Sequence, residues 1–262
     1  MTVKFDKLLT ILQDMKSVVL AFSGGVDSTF LLKAVKESGI QSLAVTGYSE
    51  TMPESELRFA EETAGSIGAA HMVIKTDEML NPEFTGNPRN RCFHCKDELF
   101  SKLMNIADEK GFNRVIDGSN ADDLSDRRPG RQAALKHGVR SPLIEAGFSK
   151  DEIRELSREM GLPTWSKPAS PCLSSRFPYG IEITKDALKR VELSEEFLKS
   201  LGFNELRVRS YNDTAKIEVA ADDIERLLGR ELRESVINKL KDFGFKHVTI
   251  DLEGFRTGKL ND

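Results

Sequence analysis

No apolar run of about 18 residues occurs in this sequence, which argues against a membrane-spanning helix. The opening stretch, MTVKFDKLLTILQDMKSVVLAF, is interrupted by Asp6, Gln13, Asp14 and Lys16 and carries no signal-peptide cleavage pattern. A cytoplasmic protein without membrane contact is therefore expected. Cysteine is scarce: three in 262 residues is too few for a disulfide framework, and the odd count leaves one unpaired. In a reducing compartment such cysteines are thiols, metal ligands or catalysts. An excess of basic charge is missing too, with 38 Lys and Arg against 42 Asp and Glu and a net charge of −4. That balance does not provide the coat that nucleic-acid binding needs, so no nucleic-acid partner is expected. There is no internal repeat and no low-complexity tract, and His71, His94, His137 and His247 form no recognisable ligand set.

What is present is a long alternation of strand and helix patterns. Phe5, Leu8, Leu9, Ile11 and Leu12 have helical spacing over 3–15. Residues 17–22 are a short apolar run ending at a glycine pair, which reads as a buried parallel strand. A helix over 28–38, a strand over 42–48, a helix over 53–67 and a strand over 71–76 follow. Pro53 suits a first helical turn, and Glu54 and Glu56 its positive end. Residues 77–91 read as a loop, 95–110 as a helix, 115–117 as a strand, 122–130 as a polar loop and 150–160 as a helix. Strands alternating with helices imply right-handed crossovers and a parallel sheet. Beyond Tyr179 and Gly180 the pattern becomes α-β-β-α-β: a helix over 184–201, strands over 205–211 and 215–220, a helical region over 221–243 and a strand over 247–252. The expected fold is α/β, a Rossmann-like doubly wound parallel sheet over 1–180 with a small α+β domain over 181–262. The second part holds 15 Lys and Arg against 17 Asp and Glu, so it is not a basic module.

The strongest local signal is Ser23-Gly24-Gly25-Val26-Asp27-Ser28, between the first strand and the next helix. Two glycines let the backbone bend close to an anion, and the helix N-terminus adds its positive end. Ser23 and Ser28 offer hydroxyl donors to phosphate, and Asp27 reads as a helix cap or a Mg²⁺ ligand. No lysine follows, so this is not the G-x-x-x-x-G-K-[ST] loop. The string resembles the pyrophosphatase-type loop, SGG-x-DS, of the adenine-nucleotide alpha-hydrolase superfamily. That resemblance implies ATP cleaved between the α and β phosphates, AMP placed on an acceptor oxygen, and displacement of AMP by nitrogen or sulfur.

Cys92 and Cys95 are spaced C-x-x-C, and Cys172 lies in Pro168-Ala169-Ser170-Pro171-Cys172-Leu173-Ser174-Ser175-Arg176-Phe177-Pro178-Tyr179-Gly180. Three thiolates can hold three irons of a [4Fe-4S] cluster and leave the fourth open. Zinc with His94 and a redox disulfide from the close pair are alternatives the residues leave open. Trp165, the single tryptophan, is expected in the core by default, or as a wall near Cys172.

The Cys172 segment, Gly118-Ser119-Asn120-Ala121-Asp122-Asp123, Arg128-Pro129-Gly130, and Leu206-Arg207-Val208-Arg209 followed by Ala215-Lys216-Ile217-Glu218-Val219 resemble the ATP-dependent sulfur transferases of the LarE type. The resemblance runs from about Lys16 to Val219. It implies adenylation of the carboxylates of pyridinium-3,5-dicarboxylic acid mononucleotide and replacement of AMP by sulfur, on the way to the nickel-pincer nucleotide cofactor of lactate racemase. Members with one cysteine sacrifice its sulfur, and Cys172 matches that catalytic position. Members with three cysteines are thought to carry sulfide on a [4Fe-4S] cluster, and Cys92, Cys95 and Cys172 match that form. The resemblance further implies ATP binding by Ser23, Gly24, Gly25, Asp27, Ser28, Gly118 and Asp123, with Mg²⁺. Ser175, Arg176, Arg207 and Arg209 match binders of the mononucleotide phosphate. Glu195 and Glu218 match acidic positions that hold a divalent ion, with plain surface charge the rival. Sulfide or another sulfur donor, and a homo-oligomer, are the implied partners. A tRNA-thiolating enzyme is the alternative with the same loop; it needs an RNA-binding surface that the acidic C-terminal part does not offer.

Overall fold

The computed structural model describes residues 3–124 and 129–256; Arg128, quoted above, lies outside them. In chain order the elements are α1 (Val3–Met15), β1 (Ser17–Ala21), α2 (Val26–Ser38), β2 (Gln41–Tyr48), α3 (Glu54–Ile67), β3 (His71–Lys75), α4 (Pro82–Thr85), α5 (Arg91–Lys110), β4 (Arg114–Ile116), α6 (Pro129–Lys136), α7 (Pro142–Ala146), α8 (Lys150–Glu159), α9 (Lys185–Ser200), β5 (Leu206–Tyr211), β6 (Thr214–Val219), α10 (Ile224–Leu228), α11 (Arg230–Asp242) and β7 (His247–Ile250). Two compact units result: 1–81 with 90–170, and 82–89 with 171–262.

In the first unit a parallel sheet has the order β3-β2-β1-β4. Every residue of β1 is buried, as a central parallel strand requires. Alternate β1 side chains serve two cores: Val18 and Leu20 join α1, α2 and α8 residues such as Leu8, Phe30 and Ile153, whereas Val19 and Ala21 join Phe100 and Leu103 of α5 and Ala133 of α6. The sheet is thus covered on both faces, the expected α/β fold. β2 and β3 lie on one side of β1 and β4 on the other. The chain therefore reverses direction between β1 and β4, where such sheets open a crevice at their C-terminal ends.

Several stretches depart from the sequence expectation: α4 lies inside the span 77–91 read as a loop, and α7 falls where no element is expected. α5 begins at Arg91 rather than near Cys95, which places both close cysteines inside its first turns. α6 begins at Pro129 inside the span read as a loop, since proline is tolerated in a first helical turn. Trp165 is 42 % exposed and does not serve the core; the Arg158 guanidinium lies 6.0 Å from its ring centroid.

In the second unit β5 and β6 form an antiparallel hairpin, and β7 joins β6 in parallel. Leu206, Val208, Ile217 and Val219 of this sheet are buried. Thr184 caps α9 by accepting from the Ala187 N–H at 3.2 Å. The short segment 82–89 belongs to this unit through Asn87, whose Nδ2 donates to the Phe177 and Pro178 carbonyls at 3.2 and 2.7 Å. Among the described residues no helix is long and apolar enough to cross a membrane.

Candidate active site

The loop from Ser23 to Ser28 is closed by its own hydroxyls. Ser23 Oγ lies 3.1 Å from Ser28 Oγ, the Gly25 N–H donates to Ser23 Oγ at 3.4 Å, and Ser28 Oγ donates to the Gly25 carbonyl at 3.2 Å. Gly24 has φ +67°, and a Cβ there would lie 2.9 Å from both Cα and Cβ of Ala60 on α3. Only glycine meets both conditions. Gly25 is the N-cap of α2 and no side chain caps the helix, so its first N–H groups remain available to an anion.

Asp27 is therefore not the cap. It lies in the first turn of α2, and Oδ2 accepts from Lys150 Nζ, while Oδ1 is buried with no hydrogen-bond partner. A buried, unpartnered carboxylate oxygen beside a phosphate-type loop suits a divalent cation in donor chemistry.

Gly118, just beyond β4, reaches the same loop. A Cβ at Gly118 would lie 3.0 Å from the Ser28 nitrogen and 3.1 Å from its Cα. The structure thus brings Gly118 to the loop at the β1/β4 crevice. Asp123 caps its own turn, Oδ2 accepting from the Asn120 N–H at 3.1 Å. Asp122 Oδ2 accepts from the Lys150 N–H at 2.8 Å, so Lys150 links the turn after β4 to Asp27.

Two lysines escaped the sequence reading. The loop has no lysine of its own, but Lys167 Nζ lies 3.3 Å from the Gly24 carbonyl and 2.8 Å from Glu56 Oε2, over the Phe59 ring at 3.7 Å. Lys150 stands at the loop's other end. The missing internal lysine was the available clue: a polyphosphate site needs cationic charge from somewhere.

Cys92 and Cys95 lie at i and i+3 in the first turns of α5, on one helical face; Cys92 is exposed and Cys95 half-buried. No acidic residue stands in that first turn and no side chain caps it, so the pair sits at the positive end of the helix. In softness and spacing the pair suits iron–sulfur ligation. Cys172, exposed, belongs to the second unit. Among the described residues no three His, Cys, Asp or Glu side chains form a group that could hold a metal ion.

In the second unit Cys172 precedes a 3₁₀ turn over Leu173–Arg176. Arg176 and Glu195 are both buried and form a fork, Nε and Nη2 each donating to one carboxylate oxygen at 2.9 Å. Arg209 and Glu218 repeat the arrangement at 3.0 and 2.9 Å. All four carboxylate oxygens thus carry guanidinium donors, and a divalent ion there requires the forks to open. Burial works to raise the Glu195 pKa, but the Arg176 fork and the Val208 N–H outweigh it and hold the carboxyl below its ordinary value. Arg207 makes no ion pair among the described residues; its Nη1 donates to the Leu206 carbonyl and its guanidinium lies 5.0 Å from the Phe255 ring centroid. Burial and the charges of Arg176 and Arg209 push its pKa down to about 10, so it stays cationic at neutral pH.

No protein-family model matches the chain. It is 38 % identical over 257 residues to the pyridinium-3,5-bisthiocarboxylic acid mononucleotide synthase of Lactiplantibacillus plantarum, covering 97 % of this chain and 92 % of that protein. The chain belongs to the LarE-type sulfur transferase family. An uncharacterized Synechocystis protein is 45 % identical over 259 residues, covering 98 % and 97 %. A tRNA-specific 2-thiouridylase of Desulforamulus reducens is 24 % identical over 196 residues, covering 59 % of this chain and 53 % of that protein, in keeping with the shared ATP-using loop superfamily. Like others of the LarE-type family, this chain is a sulfurtransferase enzyme.

Proposed function

We propose that the enzyme adenylates the carboxylates of pyridinium-3,5-dicarboxylic acid mononucleotide and exchanges AMP for sulfur, giving the thiocarboxylates of a nickel-pincer nucleotide cofactor. The observation that carries this reading is the near full-length identity to a synthase named for that product. A carboxylate oxygen attacks the α-phosphorus of ATP, pyrophosphate leaves, and the acyl adenylate then loses AMP to an incoming sulfur nucleophile. Repetition on the second carboxylate completes the product, for lactate racemase maturation.

Ser23, Gly24, Gly25 and Ser28 cradle the phosphates, with the uncapped α2 N-terminus and Gly118 at the crevice. Lys150 and Lys167 supply the charge that the loop itself lacks. Asp27, through its unpartnered Oδ1, would hold Mg²⁺ to offset the phosphate charge, and Asp123 orders the adjoining turn. In the second unit Arg207, which forms no ion pair among the described residues and spends Nη1 on the Leu206 carbonyl, takes the mononucleotide phosphate with its remaining donors. Ser175, Arg176 and Arg209 stand in the adjoining segment and strand. Any divalent ion at Glu195 and Glu218 enters only after their forks open.

For sulfur, Cys92, Cys95 and Cys172 are the proposed ligands of a [4Fe-4S] cluster. Such a cluster, held by three thiolates, would leave one iron open to an external sulfur ligand. The exposure of Cys92 and Cys172 and the position of the close pair at the start of α5 support this assignment. The same chemistry calls for a sulfide donor; a cytoplasmic setting and a homo-oligomer are carried over from the resemblance to the family. Anaerobic reconstitution with iron and sulfide, followed by iron counts in wild type and in Cys92→Ala, Cys95→Ala and Cys172→Ala, tests it. The reading expects iron in wild type and its loss in each variant. Iron-free wild type that loses the mass of H₂S at Cys172 on turnover makes Cys172 a sacrificial donor instead.

A further inference from the structure

The exposed Cys172 stands on a segment whose backbone is gripped by both buried forks. Two nitrogens of Arg176 are spent on Glu195. The third, Nη1, donates to the Pro171 carbonyl at 2.7 Å, the Cys172 carbonyl at 3.2 Å and Ser175 Oγ at 2.9 Å. Glu195 is itself anchored to β5, its Oε1 accepting from the Val208 N–H at 3.0 Å. Arg209 repeats the design: two nitrogens go to Glu218, and Nη1 donates to the Ser175 carbonyl at 2.7 Å. Arg176 and Glu195 are each 3 % exposed, and Arg209 and Glu218 are 5 % and 1 %.

A phosphate-binding arginine needs a free fork, and a cation-binding carboxylate needs free oxygens. Both are spent here. The donors left over all point at the chain on either side of one thiol. Buried ion pairs add little net stability over apolar packing, so a gain in conformational specificity is the better account of keeping two of them.

We propose that Arg176, Glu195, Arg209 and Glu218 are positioning residues that fix the backbone over 171–175 and so aim the Cys172 sulfur. The proposal rests on the reading that sulfur passes by way of Cys172. It divides the arginines by role: Arg207 meets substrate, whereas Arg176 and Arg209 act through the loop. A sulfur misplaced by about 1 Å costs on the order of a hundredfold in rate.

The test uses the full chain carrying Arg176→Met with Glu195→Leu, which removes both charges of one fork together. Amide hydrogen exchange is followed at Ser175 and Phe177, whose N–H groups donate to the Cys172 and Ser174 carbonyls. Exchange at β6 amides reports whether the unit is folded. Steady-state thiocarboxylate formation is measured alongside. The expected result is protection at Ser175 lowered by roughly tenfold or more, the size of a lost hydrogen bond to a charged group. β6 stays protected, and kcat falls with KM for the mononucleotide little changed. Unchanged protection at Ser175 overturns the proposal, as does a raised KM with kcat retained, which marks a phosphate ligand. Should the double variant not fold, Arg209→Lys keeps a charge for Glu218 while giving up the separate donor to Ser175. The same loss at Ser175 is expected there, and wild-type protection overturns the proposal. Exchange is readable whether or not the wild type makes thiocarboxylate, so failure of the functional reading is seen separately.

Discussion

Replacing Gly24 by alanine tests the phosphate loop and its packing together. An L-residue in the left-handed region costs about 1–2 kcal/mol. Gly24 adds a second cost, because a Cβ there would lie 2.9 Å from Cα and Cβ of Ala60, a fully buried residue of α3. Overpacking of this kind costs about 1–3 kcal/mol. Gly39, at the end of α2, makes a matched control: φ is +74°, and a Cβ would meet nothing within 4 Å. The sums are about 2–5 kcal/mol for Gly24→Ala and about 1–2 kcal/mol for Gly39→Ala. At about 2–4 °C per kcal/mol for a chain of this size, Tm falls by about 4–20 °C and 2–8 °C respectively. Calorimetry of the two variants measures the difference. Titration with ATP adds the functional half, since relief of the Ala60 clash must displace the loop backbone. Gly24→Ala is expected to bind ATP more weakly and Gly39→Ala to bind it as wild type does. Equal losses of Tm refute the packing argument, and wild-type ATP affinity in Gly24→Ala refutes the assignment of the loop to phosphate.

Other outcomes follow from the same geometry. Glu195→Ala strands a buried guanidinium and should cost about 3–5 kcal/mol in denaturation, far more than the paired apolar replacement. Because the folded pKa of Glu195 is depressed, its contribution is present above the unfolded value near 4.5 and is lost as pH falls through the folded value. The Tm gap between wild type and Glu195→Gln should therefore hold steady near neutrality and close in acid. Lys167→Met should raise KM for ATP by about tenfold or more, with partial recovery in Lys167→Arg; an unchanged KM assigns Lys167 to Glu56 and Phe59 alone. Arg207→Ala should raise KM for the mononucleotide while ATP affinity is retained.

The first unit was largely legible in the sequence because its signals are local. β1 is a pure apolar run, the glycine pair ends it, and the helix that follows has a clear periodicity. The start of α5 is hard to place from sequence because Asn90, a residue type common at helix starts, closes a stretch rich in Asn, Pro and Gly, and Cys92, Phe93 and His94 carry little helical preference. α6 was lost because Pro129 and Gly130 read as turn residues, and the only buried apolar side chains it offers are two alanines. The charged sites were legible by residue but not by pairing. Arg176 meets Glu195 across 19 positions. Glu218 stands opposite Arg207 in the hairpin register yet pairs with the diagonal Arg209. Which arginine is left without a carboxylate partner is decided by tertiary geometry, and no linear pattern carries it. Lys167 likewise lies 143 positions from the Gly24 carbonyl that it approaches.

The most direct test of the central claim is the stoichiometry of pyrophosphate release against thiocarboxylate formed, with pyridinium-3,5-dicarboxylic acid mononucleotide, ATP and sulfide under anaerobic conditions. The account predicts one pyrophosphate and one AMP for each sulfur installed, none without the mononucleotide, and loss of sulfur installation in Cys172→Ala. Pyrophosphate release that ignores the mononucleotide, or sulfur delivered to tRNA in its place, would contradict it.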